Sequence, residues 1–214
     1  VHYEVLGRGR PVLFLHGWVG SWRYWIPSMQ AASTNYRAYA IDMWGFGDTA
    51  KNTKRYMLSQ QLSLLEGFMD NMGIGKIALV GHGLGAIVSI LFAQEHTSMV
   101  DRIMAIGMPL ETNQINPRLS QNSPAELADW LLGATEASEA ARIEAPKADQ
   151  DAIYHSIHHM ESMDITEVPE RMKTPCLLIH GENDPVVQLP EHEKIAKLPS
   201  YFHHIAFEEA GHFP

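Results

Sequence analysis

Cysteine, positive charge and long apolar runs are all scarce in this sequence of 214 residues. The one cysteine, Cys176, excludes an intrachain disulfide, and its apolar neighbours in PCLLIHG favour a small buried side chain over a reactive thiol. A chain without disulfides is typical of a reducing compartment, so we expect a cytoplasmic location. The formal net charge of −9 argues against nucleic acid as a partner, because an acidic chain repels phosphate backbones.

The longest apolar stretch, residues 77–93, does not have the pattern of a membrane-spanning helix. It has 17 residues and carries His82 and three glycines in its middle, whereas a spanning helix needs about 20 apolar residues. The opening VHYEVLGRGR lacks the apolar core of a signal peptide. We therefore expect no membrane partner. Both ends look trimmed, since the chain opens directly on HYEVLG and stops at GHFP without a closing helix.

Short apolar runs alternate with amphipathic stretches along most of the chain. Strands are predicted in 11–17, 36–42, 76–81, 101–109, 175–181 and at the start of 202–212, and helices in 21–33, 57–73, 84–96 and 190–198. This alternation predicts an α/β fold with a mostly parallel central sheet and helices on both faces. Residues 110–172 break the rhythm, and we expect them to form a small helical cap over the carboxyl ends of the strands, inserted between core segments 1–109 and 173–214.

The stretch KIALVGHGLGAIVSI, residues 76–90, joins a strand and a helix through a glycine-rich turn. Its centre, from Gly81 to Gly85, has the frame of a nucleophile elbow, Gly-x-Ser-x-Gly. In such an elbow the sharp turn lifts the nucleophile above the sheet, and the flanking glycines let the strand and helix approach closely. The frame matches at every position except the middle one, where Gly83 has no side chain.

Three further segments carry the other groups that such a site requires. The strand LFLHGW ends on His16, Gly17 and Trp18, where a backbone N–H can point into the site; Asp184 follows a strand in HGENDPVV, and His212 lies in the terminal loop EEAGHFP. With these motifs and DMWGFGDT in this order, the sequence resembles the α/β-hydrolase fold superfamily, in its esterase, lipase and haloperoxidase-like branch, over nearly its whole length.

The resemblance implies a role for each group. Asp184 would orient His212, His212 would act first as general base and then as general acid, and the backbone N–H groups of Trp18 and Leu84 would form the oxyanion hole. The predicted substrate pocket consists of His16, Gly17, His82, Trp22 and Trp44. The implied reaction is hydrolysis of a small, fairly apolar ester, thioester, lactone or activated C–C bond, and it needs neither a metal nor an organic cofactor. The oligomeric state is left open.

Glycine at the nucleophile position predicts an incomplete catalytic triad, because Gly83 cannot form an acyl-enzyme. Three explanations are open: deliberate removal of a serine, natural loss that leaves a non-catalytic ligand-binding protein, or activation of a water molecule by His212 and Asp184. Ser89 is no substitute, because it lies six residues beyond Gly83 and inside the predicted helix.

Two competing site hypotheses come from the same sequence. GHGLGA also fits the dinucleotide motif G-x-G-x-x-A, with Asp101 placed 20 residues after Gly81. Asp101 precedes the apolar run RIMAIG, however, so it is expected at the wrong end of that strand. His155, His158 and His159 lie on one helical face at spacings that could bind a metal, but no H-E-x-x-H motif accompanies them, and a solvated or cap-lining helix is the preferred interpretation.

Overall fold

The computed structural model describes residues 1–132, 139–162 and 168–213, and these contain a seven-stranded sheet. The strands are β1 Tyr3–Gly7, β2 Arg10–Leu15, β3 Tyr36–Ile41, β4 Ile77–His82, β5 Val100–Ile106, β6 Cys176–Gly181 and β7 Phe202–Phe207. Their spatial order is β1-β3-β2-β4-β5-β6-β7, and every neighbouring pair is parallel except β1 with β3. The predicted mostly parallel sheet is therefore confirmed.

The helices connect these strands. They are α1 Ile26–Ala32, α2 Leu58–Met72, α3 Leu84–Glu95, α4 Arg118–Gln121, α5 Pro124–Leu132, α6 Glu139–Glu144, α7 Gln150–Glu161, α8 Val168–Arg171 and α9 His192–Ala196. The sequence explains several boundaries. Ser21 caps a short 3-10 turn that precedes α1, and Pro27 lies in the first turn of α1, where its missing N–H has no partner to lose. Gly73 ends α2 in the left-handed conformation, with φ of 66°.

Alternate residues of each strand point to opposite sides of the sheet. Helices pack against the apolar side chains on both sides. On β2, Leu13 and Leu15 belong to the larger apolar cluster, which also contains α2 and α3 side chains. Val12 and Phe14 belong to a smaller cluster on the other face, where they pack with Trp25 and residues of α1. α3 has buried residues all around its axis, so it lies in the centre of the larger cluster.

The strand β1 was not among the predicted strands. It lies at the edge of the sheet, runs antiparallel to β3, and is exposed at four of its five positions. A short strand that is exposed on both faces has no buried apolar run, which is the pattern on which the other strand predictions depended.

Between β5 and β6 the described residues form α4 to α8 and short turns, in agreement with the helical character expected for 110–172. Contacts join α7 and its N-terminal side to the core: Tyr56 donates to Asp149 at 2.6 Å, and the N–H of Leu58 donates to His159 at 3.3 Å. The limits of the cap as a domain stay a prediction. Among the described residues, no helix combines the length and apolar character needed to cross a membrane.

Candidate active site

The nucleophile elbow lies between β4 and α3. β4 ends at His82, α3 begins at Leu84, and Gly83 between them has φ of 49° and ψ of −112°. The N–H of Gly83 donates to the carbonyl of Ile106 at the end of the neighbouring strand, at 2.8 Å. Residues with a Cβ rarely adopt this backbone conformation, so glycine occupies the turn without the strain that a nucleophile would carry there.

The two outer glycines of the elbow are required by close backbone contacts. A Cβ on Gly81 would overlap the carbonyl oxygen of Gly85, and a Cβ on Gly85 would overlap the carbonyl oxygen of Leu15 on β2. The N–H of Gly85 also donates to the carbonyl of His16, at 3.0 Å. These contacts press the start of α3 against β2 and β4, which is the packing that the sequence motif predicts.

The predicted acid and base form a buried pair. Asp184 follows β6 and His212 follows β7, and Nδ1 of His212 lies 2.9 Å and 3.1 Å from the two carboxylate oxygens. The exposed fractions of the side chains are 1% for Asp184 and 4% for His212. Oδ1 of Asp184 also accepts the backbone N–H groups of Val186, at 2.7 Å, and Val187, at 3.1 Å. The carboxylate is therefore held on both sides.

The surroundings of Asp184 keep its carboxyl group ionised. Burial alone would raise the pKa of this carboxyl, but the hydrogen bond from His212 and those from the Val186 and Val187 amides outweigh it. The net result is a pKa below the ordinary value, so the carboxylate is charged at neutral pH. Since Nδ1 of His212 faces this carboxylate, it carries the proton, and Nε2 is the nitrogen left to accept one.

A network of hydrogen bonds ties together the segments that follow β2 and β7 and the end of β4. The N–H of Gly17 donates to the hydroxyl of Tyr24 at 2.5 Å, and that hydroxyl lies 3.2 Å from Nδ1 of His82. On the other side of its ring, Nε2 of His82 lies 2.8 Å from the backbone carbonyl of His212. A carbonyl only accepts, so Nε2 of His82 donates to it, and Nδ1 accepts from Tyr24. His82 thus ties the loop that carries His212 to the end of β4.

The two side chains in this hydrogen-bond network, Tyr24 and His82, are both held neutral. Burial, reinforced by the nearby His212, lowers the pKa of His82 to about 3. Burial also raises the pKa of Tyr24 well above its usual range. The rings of His82 and His212 lie 4.4 Å apart between centroids, so a neutral His82 places no positive charge beside the His212 ring.

The predicted oxyanion-hole residues flank the elbow. Leu84 is the first residue of α3, and the first N–H groups of a helix have no partner within it. Trp18 follows β2, and its ring borders the space above the elbow: a Cβ built on Gly83 would lie 3.0 Å from both Cε3 and Cζ3 of the indole. Trp18 is 1% exposed, and its Nε1 donates to Oγ of Ser156 on α7 at 3.0 Å.

The predicted pocket residues have three different environments. Gly17 and His82 belong to the hydrogen-bond network described above. His16 is fully buried, donates from Nδ1 to the carbonyl of Gly17 at 2.8 Å and accepts the N–H of Met43 at 3.0 Å, so both of its nitrogens bind backbone. Trp22 packs against Arg23 and His2, and Trp44 packs under the guanidinium of Arg55. Their pocket role stays a prediction.

Tyr24 and Ser156 are site residues that the sequence did not single out for these roles. Tyr24 is one of several aromatic residues in the segment after β2, and Ser156 is one of many serines. Gly107, at the end of β5, also borders the site, since a Cβ there would lie 3.5 Å from the His212 ring and 3.6 Å from Asp184. Its φ of 57° is the signal that only coordinates provide.

The structure also shows where the residues of the other hypotheses lie, namely Asp101, Ser89 and Cys176. Asp101 is the second residue of β5, at the opposite end from Ile106, which pairs with His82. Asp101 therefore lies at the end of the sheet that the elbow does not occupy. Its carboxylate binds Arg102 there, at 2.9 Å. Oγ of Ser89 is buried and donates to the carbonyl of Gly85 at 2.7 Å. Burial raises the pKa of Cys176 to about 12, in keeping with an inert thiol.

One group of metal-ligand residue types comes together within the described ranges, and it is not the histidine cluster of α7. His2, Asp42 and Asp48 have ligand atoms within 4.8 Å of one another. The carboxylate of Asp42 already accepts the N–H groups of Trp22, at 2.8 Å, and Asp48, at 2.9 Å. Asp48 in turn accepts from Lys147 at 3.0 Å. These carboxylates are thus engaged by donors of the protein itself.

Comparison with known proteins defines the family. The alpha/beta hydrolase fold family matches residues 10–150, more than half of the chain, so the chain belongs to this family. A soluble epoxide hydrolase from Corynebacterium sp. (strain C12) is 28% identical over 108 residues, which cover 50% of this chain and 38% of the relative. A 2-hydroxy-6-oxo-6-(2'-aminophenyl)hexa-2,4-dienoic acid hydrolase from Metapseudomonas resinovorans is 31% identical over 112 residues, covering 49% and 38%. These matches span well under half the length of either relative.

Among solved structures, the crystal structure of the enol-lactonase from Burkholderia xenovorans LB400 superimposes with a TM-score of 0.84 at 17% identity, and the match covers 97% of this chain and 87% of that one. At this identity the likeness shows the fold alone. The chain is thus an α/β hydrolase in architecture, and the proteins similar to it in sequence include an epoxide hydrolase and a dienoic acid hydrolase.

Proposed function

We propose that this chain keeps the acid, the base and the oxyanion-hole amides of a hydrolase and lacks only the nucleophile. Its ligand is a small, fairly apolar carbonyl compound: an ester, a thioester, a lactone or a compound with an activated C–C bond. As it stands, the chain binds such a compound with little turnover. The chemistry it has inherited is acyl transfer to a hydroxyl at residue 83 followed by hydrolysis.

The observation that carries the proposal is the geometry of Asp184 and His212. A carboxylate with its pKa lowered, buried, and held by two backbone amides faces Nδ1 of an imidazole that is itself buried. Such a pair serves to take up and return a proton, since the carboxylate orients the ring and stabilises its charged form. A protein that needed only a buried apolar pocket would have no use for it.

The missing hydroxyl decides the level of activity. Loss of the nucleophile from a serine hydrolase costs about 10⁶ in turnover, or roughly 8 kcal/mol of transition-state stabilisation. A residual acceleration of about 10³–10⁴ over water can come from the oxyanion hole and binding alone. We therefore expect a slow parent protein whose remaining machinery is revealed when a hydroxyl is restored.

The test compares the parent with Gly83→Ser and Gly83→Ala, using p-nitrophenyl acetate. Gly83→Ala is the matched control, because it adds the same Cβ and the same backbone strain without a hydroxyl. We expect turnover in Gly83→Ser at a rate far above the parent and the alanine variant, and loss of that turnover when His212→Ala is added.

Two other outcomes separate the alternatives. Rapid turnover by the parent, abolished by His212→Ala, would favour a water molecule activated by His212 and Asp184. If none of the proteins turns over and p-nitrophenyl acetate still binds, as seen by a shift in melting temperature, the chain is a binding protein whose site has lost more than its nucleophile.

A further inference from the structure

The indole of Trp18 occupies the space that borders the nucleophile position. A Cβ on residue 83 would lie 3.0 Å from two carbons of the ring, whereas carbon atoms in contact prefer about 3.5–4.0 Å. The side chain is 1% exposed and belongs to the main apolar cluster. The ring of Trp18 therefore borders the place that a side chain at residue 83 would take, which is distinct from the role predicted for its backbone N–H.

The cap helix α7 fixes the orientation of this ring. Nε1 of Trp18 donates to Oγ of Ser156 at 3.0 Å, and the Ser156 hydroxyl donates its own proton to the carbonyl of Ile153 at 2.7 Å. Ser156 is 1% exposed, so this is a buried polar contact in which the donors and acceptors are matched. The ring is therefore anchored at Nε1 by α7, while its Cε3–Cζ3 edge borders the place of a side chain at residue 83.

We propose that Trp18 is a specificity-determining residue, whose indole, anchored by Ser156, restricts the site to short acyl groups. This inference rests on the proposed function, because it concerns the acyl group that reaches residue 83. An acetyl group needs little space beyond the carbonyl, whereas each further methylene has to displace the ring. Shortening residue 18 or releasing its Nε1 makes that space available, and the backbone N–H predicted for the oxyanion hole is present in either variant.

The experiment measures kcat/KM for the p-nitrophenyl esters of acetate and hexanoate in the Gly83→Ser background. Trp18→Leu removes the ring, Ser156→Ala only releases it, and Trp25→Leu is the control, because Trp25 is a buried tryptophan of the other apolar cluster. We expect Trp18→Leu to raise the hexanoate-to-acetate ratio about tenfold or more, since one methylene in an apolar pocket is worth roughly 10–200-fold. Ser156→Ala shifts the ratio in the same direction by less, and Trp25→Leu leaves it unchanged.

The outcomes distinguish this inference from the proposal beneath it. A ratio that is unchanged in Trp18→Leu and in Ser156→Ala, while Gly83→Ser hydrolyses acetate, overturns the role of Trp18 and leaves the proposed function intact. A ratio raised equally by Trp25→Leu also overturns it, because the effect is then one of general loosening. If Trp18→Leu does not fold, Ser156→Ala decides alone. Lack of acetate turnover in every folded variant of the Gly83→Ser background overturns the proposed function and this inference together.

Discussion

The acid–base side of the site and the elbow side differ in what holds them. Asp184 is joined by polar contacts to His212 and to the amides of Val186 and Val187, so its carboxylate has a partner on each side. At the elbow, the backbone makes the sharp turn that the motif predicts, but the middle residue has no side chain, and an indole borders the place that a side chain would take. The comparison teaches that the scaffold of such a site and its reactive group are separable.

The largest expected effect tests the acid–base side. In the Gly83→Ser background, Asp184→Asn keeps the size of the side chain but places an amide opposite Nδ1 of His212, which favours the wrong tautomer. We expect kcat for p-nitrophenyl acetate to fall about 10⁴-fold. Asp101→Asn, on the opposite end of the sheet, is the control and should leave kcat unchanged. Equal, small losses in the two variants would show that the Asp184–His212 pair is structural only.

The second largest expected effect is on the free energy of unfolding. It comes from His82, which lies next to the elbow and binds the His212 carbonyl. Its folded pKa of about 3 lies below the unfolded value of about 6.5, so the unfolded chain binds more protons between these values. The stabilisation is complete above pH 6.5 and is lost as the pH falls toward 3. Between pH 7.0 and 4.5, His82 alone should lower the free energy of unfolding by about 3 kcal/mol.

The matched variant for this prediction is His82→Gln, whose amide can still donate to the His212 carbonyl and accept from Tyr24. Urea unfolding at the two pH values should show a smaller loss in the variant. A remaining loss is expected from His16 and His180, whose pKa values burial lowers in the same direction. Identical losses in parent and variant would mean that His82 is charged or solvated in the folded protein.

The smallest effect tests the elbow side. Gly83→Ser introduces a Cβ into a strained conformation and against the Trp18 ring, and we expect the free energy of unfolding to fall by about 1–3 kcal/mol. Gly73→Ser is the comparison, because Gly73 also has positive φ but a Cβ there would meet nothing within 4 Å. Its expected loss is about 1 kcal/mol, from the left-handed conformation alone. Thermal or urea unfolding of both variants measures the difference, and a larger loss in Gly73→Ser would contradict the tight contact with Trp18.

Much of the fold could be predicted because it leaves a local pattern. Six strands came from apolar runs, and the end of α2 came from Gly73, since a buried strand and a left-handed helix end each restrict the residues that can occupy them. β1 could not be found in this way, because an exposed edge strand imposes no such restriction. The order of the strands in the sheet was not predicted, and it became known only from the structure.

The site was only partly accessible from the sequence. The pairing of Asp184 with His212 was predicted from the resemblance, because the order of the motifs implies it. The contact between Trp18 and Ser156 joins residues 138 positions apart, and Tyr24 meets His82 across 58 positions. Such contacts depend on how whole elements pack, and neither spacing nor periodicity encodes them. The role of the Trp18 side chain therefore became visible only with coordinates.

The close contacts of Gly81 and Gly85 have a consequence for reading such sequences. A side chain at either position would force helix and sheet apart, so these two glycines indicate that the chain forms this turn. A Cβ on the residue between them would overlap no backbone atom, so the identity of that residue indicates only whether a nucleophile is present. A pattern search that demands serine in the middle therefore detects working catalysts, while one that leaves the middle free detects every chain built on the same turn, including those that have given up the reaction.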